Sequence, residues 1–135
     1  MPSKSYRSPG AHIDGAKHVL AAYARTSDHF VKEGNLYGVV AETTAANKVY
    51  ALQTTGIFER AVAGTLSMGA KVYVDTTNAN VANTNLPLTT DITVTTNKVH
   101  IGYIVLLRDT AAFGRTSDAP AGSCYVELIP QPSAA

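Results

Sequence analysis

A chain of 135 residues, 45% of them hydrophobic, is long enough to fold as one domain with a sizeable core. A net charge of +1 and a pI of about 7.9 argue against a dedicated nucleic-acid binder, which would carry a basic face. Only 16% of residues are charged, which suits a surface that lies against neighbours better than that of a free monomer.

Cysteine use and the first residues bear on the compartment. Cys124 is the only cysteine, so no intramolecular disulfide can form. No apolar run approaches the ~18 residues of a membrane-spanning helix. Residues 1–10 lack the apolar stretch of a secretory signal. We therefore expect synthesis and folding in a cytoplasm, with no membrane partner.

Residues 1–16 predict an extended N-terminal arm. They hold two prolines and several serines and show no apolar period. Such a segment is either a floppy tail or an arm that orders on a partner, for example by adding a strand to an exposed sheet edge. The candidate contact residues in it are Tyr6, Arg7, Pro9 and His12.

The next segments predict strands. Residues 18–24 are ambiguous, because their alanines favour a helix while their position before a hairpin favours a strand; we take them as a strand. Residues 29–32 and 36–41 are rich in β-formers and flank Glu33-Gly34-Asn35, three residues that contain a glycine. That spacing is typical of a β-hairpin.

The strand pattern continues through the middle of the chain. Residues 48–54 and 56–62 each predict a strand, and Gly56 is expected to mark a bulge or bend between them. In residues 71–75 two valines alternate with the other three positions, which is the period of a strand.

Two further segments are interpreted from composition and alternation. Residues 76–90 are rich in Thr and Asn and hold Pro87, which predicts a long exposed loop. Residues 91–95 alternate Ile92 and Val94 with polar positions, which predicts an edge strand.

The last third of the chain contains its most apolar run. Residues 99–107 predict the central strand, buried on both faces. Residues 108–123, which bear glycine and proline, predict a second long loop. Residues 124–129 predict the final strand, which we expect to stop at Pro130.

Short strands with glycine-bearing turns, and hardly any helix, define an all-β fold: a small β-barrel or sandwich. We divide the chain into the arm (residues 1–16), a single β domain (residues 17–130) and a C-terminal tail (residues 131–135).

Residues that could carry chemistry are present but form no recognised pattern. No histidine lies two to five residues from another histidine or from a cysteine, so the spacing of a zinc site is missing. Cys124 has no evident base beside it, and a buried structural thiol is the better interpretation. The acidic residues are scattered singly, and Asp75 and Asp91 are expected to cap turns at strand boundaries. We assign no catalytic, cofactor-binding or metal-binding residue and predict that the chain is not an enzyme.

Seven tyrosines raise an alternative, a small barrel that binds single-stranded nucleic acid or carbohydrate. Stacking on nucleic acid also needs a basic groove, whereas the eleven Lys and Arg residues are spread along the chain. Half-buried packing accounts for the five tyrosines in predicted strands. They are Tyr37, Tyr50, Tyr73, Tyr103 and Tyr125.

Four fragments stand in an order and approximate spacing that identify a family. They are Gly38-Val39-Val40-Ala41, Thr55-Gly56-Ile57-Phe58-Glu59, Gly69-Ala70-Lys71-Val72-Tyr73-Val74-Asp75 and Ile101-Gly102-Tyr103-Ile104. Over about residues 18–128 the chain resembles small phage capsid decoration (cement) proteins, most specifically in the Gly-x-x-Val-Tyr-x-Asp piece from Gly69 to Asp75. It departs from the shorter members in its polar arm and in the loop of residues 108–123.

The resemblance implies a β-tulip fold, similar to the head-stabilising proteins of lambda-like phages. It also implies a homotrimeric structural virion protein, made in the host cytoplasm, that binds the major capsid protein on the outer capsid surface and stabilises the shell. No cofactor, nucleic acid or small-molecule substrate is expected. The four candidate residues of the arm then become contacts to the capsid or to a neighbouring subunit.

A small enzyme that uses Cys124 with a histidine is a third hypothesis. Rapid, selective alkylation of that thiol near neutral pH would support it.

Overall fold

The computed structural model describes residues 16–107 and 123–134, and these ranges form nine strands and no helix. In chain order the strands are β1 (Ala16–Leu20), β2 (Phe30–Glu33), β3 (Leu36–Val40), β4 (Val49–Gln53), β5 (Gly56–Ala63), β6 (Lys71–Asp75), β7 (Leu88–Thr89), β8 (Lys98–Leu107) and β9 (Ser123–Ala134). The predicted all-β class is confirmed. Within the described ranges nothing has the length and apolarity of a membrane-spanning helix.

Five strands close into a barrel in the order β9-β5-β7-β6-β8, with β8 pairing back to β9. All pairs in the barrel are antiparallel except β5 with the two-residue β7. Closure removes the free strand edges that an open sheet would expose. The barrel interior is filled by small and β-branched side chains of the four long strands, among them Val62, Val72, Val74, Ile101, Ile104, Cys124 and Val126.

The other four strands form an antiparallel sheet in the order β1-β4-β3-β2, hereafter the small sheet. Its β2–β3 hairpin confirms the prediction, although the loop is the two residues Gly34-Asn35 and Glu33 belongs to β2. Gly34 has φ +61, whereas Asn35 is not in the left-handed region. That is the arrangement of a type II′ turn, in which glycine takes the first central position.

Both faces of β2 and β3 are buried, and alternate residues serve two different cores. Phe30 and Val39, which are cross-strand partners, pack into the barrel core. Val31 and Val40, one position further along, belong to a second core with Tyr50 on β4. The small sheet is therefore a middle layer between the barrel and its own second core.

The chain passes from the small sheet to the barrel between β4 and β5. Gly56, the first residue of β5, has φ +117, a conformation that glycine adopts without strain. The bend predicted at this glycine is the point at which the chain changes sheets.

Two sequence predictions for the segment between β6 and β8 are wrong. Residues 91–95 are turn and bend, not an edge strand, because the Asp91 carboxylate accepts hydrogen bonds from the backbone and hydroxyl of Thr93 and closes a local turn. Residues 76–90 are not simply an exposed loop, since Leu86 and Leu88 are buried in the barrel core. The Leu86 amide also donates to the Phe30 carbonyl, so this segment covers the outer edge of β2.

The predictions for the last strands hold in part. β8 is central, between β6 and β9, but it is not buried on both faces, because Tyr103 is 38% exposed. β9 does not stop at Pro130: after a register irregularity it pairs with β8 again as far as Ala134. The arm up to residue 15 and the loop of residues 108–122 lie outside the described residues. Ala16, predicted to lie in the arm, and Ser123, predicted to lie in the loop, instead begin β1 and β9. The three-part division of the chain stays a prediction.

Candidate docking surface

The small sheet extends beyond the barrel that it packs against. The face that carries Phe30 and Val39 continues across the sheet, because Val39 is the cross-strand partner of Gln53 on β4, and Val49 lies four residues before Gln53 on the same face. Val49 in turn is the partner of Leu20 on β1. One half of this face is thus core, and the other half reaches past the barrel.

The part of the face beyond the barrel presents two large apolar side chains to solvent. Leu20 is 61% exposed and Val49 is 64% exposed, and as directly opposed residues they lie side by side. We call them the Leu20–Val49 pair. β1, which carries Leu20, is an end strand whose one strand partner within the described ranges is β4. An exposed apolar pair beside a strand edge with which no described strand pairs is the kind of surface that a protein partner covers.

A buried polar network on the opposite face holds this part of the sheet in place. The Glu33 carboxylate accepts hydrogen bonds from Arg25 Nε at 3.0 Å, from the Tyr50 hydroxyl at 2.7 Å and from the Ala22 amide at 2.9 Å. Arg25 Nη2 also donates to the Lys32 carbonyl at 3.1 Å. We call these contacts the Glu33 network. They tie β2 to β4 and to the loop that follows β1.

The electrostatics of the Glu33 network fit an ionised carboxylate. Burial by itself would raise the pKa of Glu33, but the hydrogen bonds from Arg25, Ala22 and Tyr50 hold it below its ordinary value. The pKa of the Tyr50 hydroxyl is raised by burial and by its hydrogen bond to Glu33. The network therefore stays charged and hydrogen-bonded at neutral pH, which fixes the position of β4 and of the Leu20–Val49 pair.

Asp75 and Asp91 make identical local turns, which confirms the predicted capping role. Each carboxylate accepts from the backbone amide and the hydroxyl of the threonine two residues later, Thr77 and Thr93 respectively. Both line a cleft of about 320 Å³ together with Lys98, whose Nζ lies 3.5 Å from Asp75 Oδ2. These hydrogen bonds lower the pKa of both carboxyls. Carboxylates engaged in this way are turn-formers rather than a general acid–base pair.

The candidate chemical residues are separated in the fold. Cys124 is fully buried, and burial raises the pKa of its thiol to about 11, the opposite of an activated nucleophile. His100 is packed between Tyr73 and Tyr103, and its Nε2 lies 2.9 Å from the Gly102 carbonyl oxygen. Among the described residues no three His, Cys, Asp or Glu side chains are grouped so as to hold a metal ion.

The tyrosines of the described strands do not form one surface. Tyr50 lies in the second core of the small sheet and Tyr37 packs against the barrel core, whereas Tyr73 and Tyr103 flank His100 on the barrel, Tyr73 buried and Tyr103 partly exposed. A row of stacked bases needs aromatic rings that share one open groove. This arrangement gives the nucleic-acid alternative no support within the described residues.

None of the four sequence-predicted contact residues, Tyr6, Arg7, Pro9 and His12, lies within the described ranges, and their role stays a prediction. Sequence reasoning missed the Leu20–Val49 pair. Residues 49–52 are all apolar, which indicates a strand buried on both faces, and nothing local shows that one end of one face is uncovered.

The described residues form a small all-β domain that exposes an apolar pair on one sheet face. A family model for phage cement proteins matches residues 12–112, about three quarters of the chain. The chain belongs to the phage cement protein family, as the four sequence fragments predicted. Membership implies a structural, capsid-stabilising role in the virion and a non-enzymatic function. No curated protein and no solved structure matches the chain.

Proposed function

We propose that this protein binds the outer surface of an assembled phage capsid as a homotrimer and stabilises the shell through its contacts with the major capsid protein. The Leu20–Val49 pair is the docking surface on the folded domain, and the arm with Tyr6, Arg7, Pro9 and His12 is a second contact, to the shell or to a sister subunit. The protein is made in the host cytoplasm and uses no cofactor.

The uncovered half of the small-sheet face carries this proposal. Burying a Leu or Val side chain fully is worth about 1.5–3 kcal/mol, so covering two that are more than half exposed contributes about 1–2 kcal/mol each. Because the rest of the same face is already a packed core, a partner meets a surface of fixed shape. The gain is available only while the partner is in place, which is how a clamp stabilises a lattice.

The trimer supplies the strength that one small patch lacks. Once one subunit has docked, the other two bind at roughly millimolar effective concentration. Modest contacts repeated three times therefore hold a shell that a monomer would leave readily.

Co-sedimentation with expanded shells tests the docking surface. We compare wild type with Leu20→Thr/Val49→Thr, which removes apolar area and keeps strand propensity. The expected result is a loss of binding of about tenfold or more, since 1.4 kcal/mol corresponds to tenfold. The matched control is Val81→Thr, because Val81 is also exposed (51%) but lies in the segment between β6 and β7.

The outcomes separate the two contacts. Equal binding of the double variant and wild type would remove the Leu20–Val49 pair from the proposal. Deletion of residues 1–15 tests the arm in the same assay, with loss of binding expected. If wild type itself fails to sediment with any shell, the proposed function is wrong.

A further inference from the structure

The described residues include two arginines, Arg25 and Arg60, whose side chains differ in their hydrogen bonding. Arg25 is 2% exposed and has a full set of partners in the Glu33 network. Arg60, on β5, has a buried Nε with no hydrogen-bond partner, and its guanidinium makes no hydrogen bond or ion pair with any described residue. Buried donors of charged groups are almost always paired, so the missing partner of Arg60 needs an explanation.

The position of Arg60 makes an unpaired charge there unusual. Residues of β5 alternate, and Arg60 shares its face with Phe58 and Val62, both of which belong to or pack against the barrel core. Its cross-strand partner is the fully buried Cys124. Arg60 as a residue is nevertheless only partly buried, so part of it is open to solvent although its Nε is not.

The surroundings prepare the guanidinium for an anionic partner. Its Cζ lies 5.7 Å from the centre of the Phe58 ring, a cation–π contact that favours a charged group at this position. Burial lowers the pKa of Arg60, and the charge of Asp28 opposes this only in part. A second buried nitrogen without a partner, His29 Nδ1, belongs to the residue next to Asp28.

We infer that Arg60 binds a carboxylate supplied by an acidic side chain of another protein chain when the protein docks. A planar guanidinium presents parallel N–H donors that match the two oxygens of a carboxylate. The inference builds on the proposed function, since it names the chemistry of the partner, but part of its test does not require a shell.

The shell-independent test follows the Arg60 Nε–H signal by NMR, assigned by its loss in Arg60→Gln. Sodium acetate is the carboxylate probe, and sodium chloride at equal ionic strength is the matched control. A saturable shift with acetate and none with chloride is expected. No shift with acetate, or equal shifts with both salts, would overturn the inference. This result is independent of whether wild type binds a shell.

The docking test compares Arg60→Gln and Arg60→Lys with Lys71→Gln, which removes an exposed cation from barrel strand β6, separated from β5 by β7. We expect about tenfold weaker shell binding or trimer formation for Arg60→Gln, a smaller loss for Arg60→Lys, and none for the control. Weakening of trimer formation identifies a sister subunit as the source of the carboxylate. Weakening of shell binding alone identifies the capsid protein.

The thermal unfolding midpoint tests whether the carboxylate that binds Arg60 comes from the same chain. We expect Arg60→Gln to unfold at nearly the same midpoint as wild type, because the burial of the charge opposes the attraction that Asp28 and Phe58 supply. A lower midpoint that Asp109→Asn/Asp118→Asn reproduces would mean that the chain supplies its own carboxylate, and the inference would be wrong. Unchanged trimer formation and shell binding in Arg60→Gln would overturn it as well.

Discussion

Glu33 is the residue on which the geometry of the small sheet depends most. It accepts hydrogen bonds from Arg25 on one side and from Tyr50 on the other, and all three side chains are buried. Ionised pairs inside a protein are stable only when every partner is present, since removal of one leaves the other charged and desolvated.

Replacing Glu33 with Gln should therefore destabilise the protein strongly. The change leaves Arg25 buried without a counter-charge, and we expect a loss of about 3–5 kcal/mol in the free energy of unfolding, measured with urea. Tyr50→Phe removes one hydrogen bond to a charged acceptor and should lose about 1.5–3 kcal/mol. If Glu33→Gln and Tyr50→Phe lower the free energy of unfolding by the same amount, Arg25 does not need Glu33 as its counter-charge.

The pH dependence of stability should carry the signature of the same carboxyl. Because the pKa of Glu33 is lower in the folded chain than its ordinary value of 4.5, its contribution is fully present above pH 4.5 and is lost as the pH falls through the lower, folded-state value. Urea unfolding measured from pH 6 downward should show this decline in wild type. Glu33→Gln should show a flatter profile below about pH 4.5; an unchanged profile would contradict the assignment.

Glycines explain why the sequence fragments could identify the family. A Cβ at Gly38 would overlap the Gln53 carbonyl oxygen, and one at Gly102 would overlap the Glu127 carbonyl oxygen, so two strands approach too closely for any side chain. In the other two fragments, Gly56 and Gly69 have positive φ. Each fragment therefore holds a glycine that the backbone itself requires, and a short pattern of this kind is informative without any catalytic motif.

At the scale of elements, alternation predicted the strands that lie between other strands. It failed where side-chain hydrogen bonds replace the backbone hydrogen bonds between strands. Residues 71–75 alternate and residues 99–107 are mostly apolar, and both segments are strands. Residues 91–95 alternate equally well, but Ile92 and Val94 are exposed and the Asp91 turn takes up the backbone. A period of two cannot distinguish these cases, because the competing turn depends on a single side chain.

The segment between β6 and β8 contributes to the barrel core, although its polar composition predicted an exposed loop. Thr and Asn dominate residues 76–90, yet Leu86 and Leu88 complete the barrel interior and the Asn85 side chain accepts from the Phe30 amide at 2.8 Å. Asn85 thus bonds the edge of β2, while the Thr and Asn residues of the segment, Asn85 included, are exposed or partly exposed. Such pairing across more than fifty residues cannot be inferred from local sequence.

Leu88→Ala should show that this segment is structural. Leu88 is buried on the two-residue strand that bridges β5 and β6, and truncation should reduce the free energy of unfolding by about 2–5 kcal/mol. Val81→Ala, an exposed position in the same segment, should stay within about 0.5 kcal/mol of wild type. Urea unfolding compares the two, and an equal effect would mean that the segment is a loop after all.

At the scale of the whole molecule, the sequence predicted the class of fold and the family but not the relation of the two sheets. Phe30 and Val31 differ by one position yet enter different cores, and the hydrophobic pattern records only that both are buried. The uncovered end of the shared face follows from where the barrel ends, which is a tertiary property. The Leu20–Val49 pair could therefore be found only from the structure.

The assembled state gives the last prediction. A trimeric clamp should sediment in solution at three times the 14.2 kDa of the chain, and expanded shells incubated with it should disrupt at a higher temperature than bare shells. Occupancy at a hundred times the dissociation constant stabilises the bound state by about 2.7 kcal/mol per site, so the shift should grow with protein concentration until the sites are filled. Leu20→Thr/Val49→Thr should keep the trimer mass and raise the disruption temperature less at equal concentration, because it changes docking and not folding. A trimer that leaves the disruption temperature of every shell unchanged would show that surface contact alone does not stabilise the lattice.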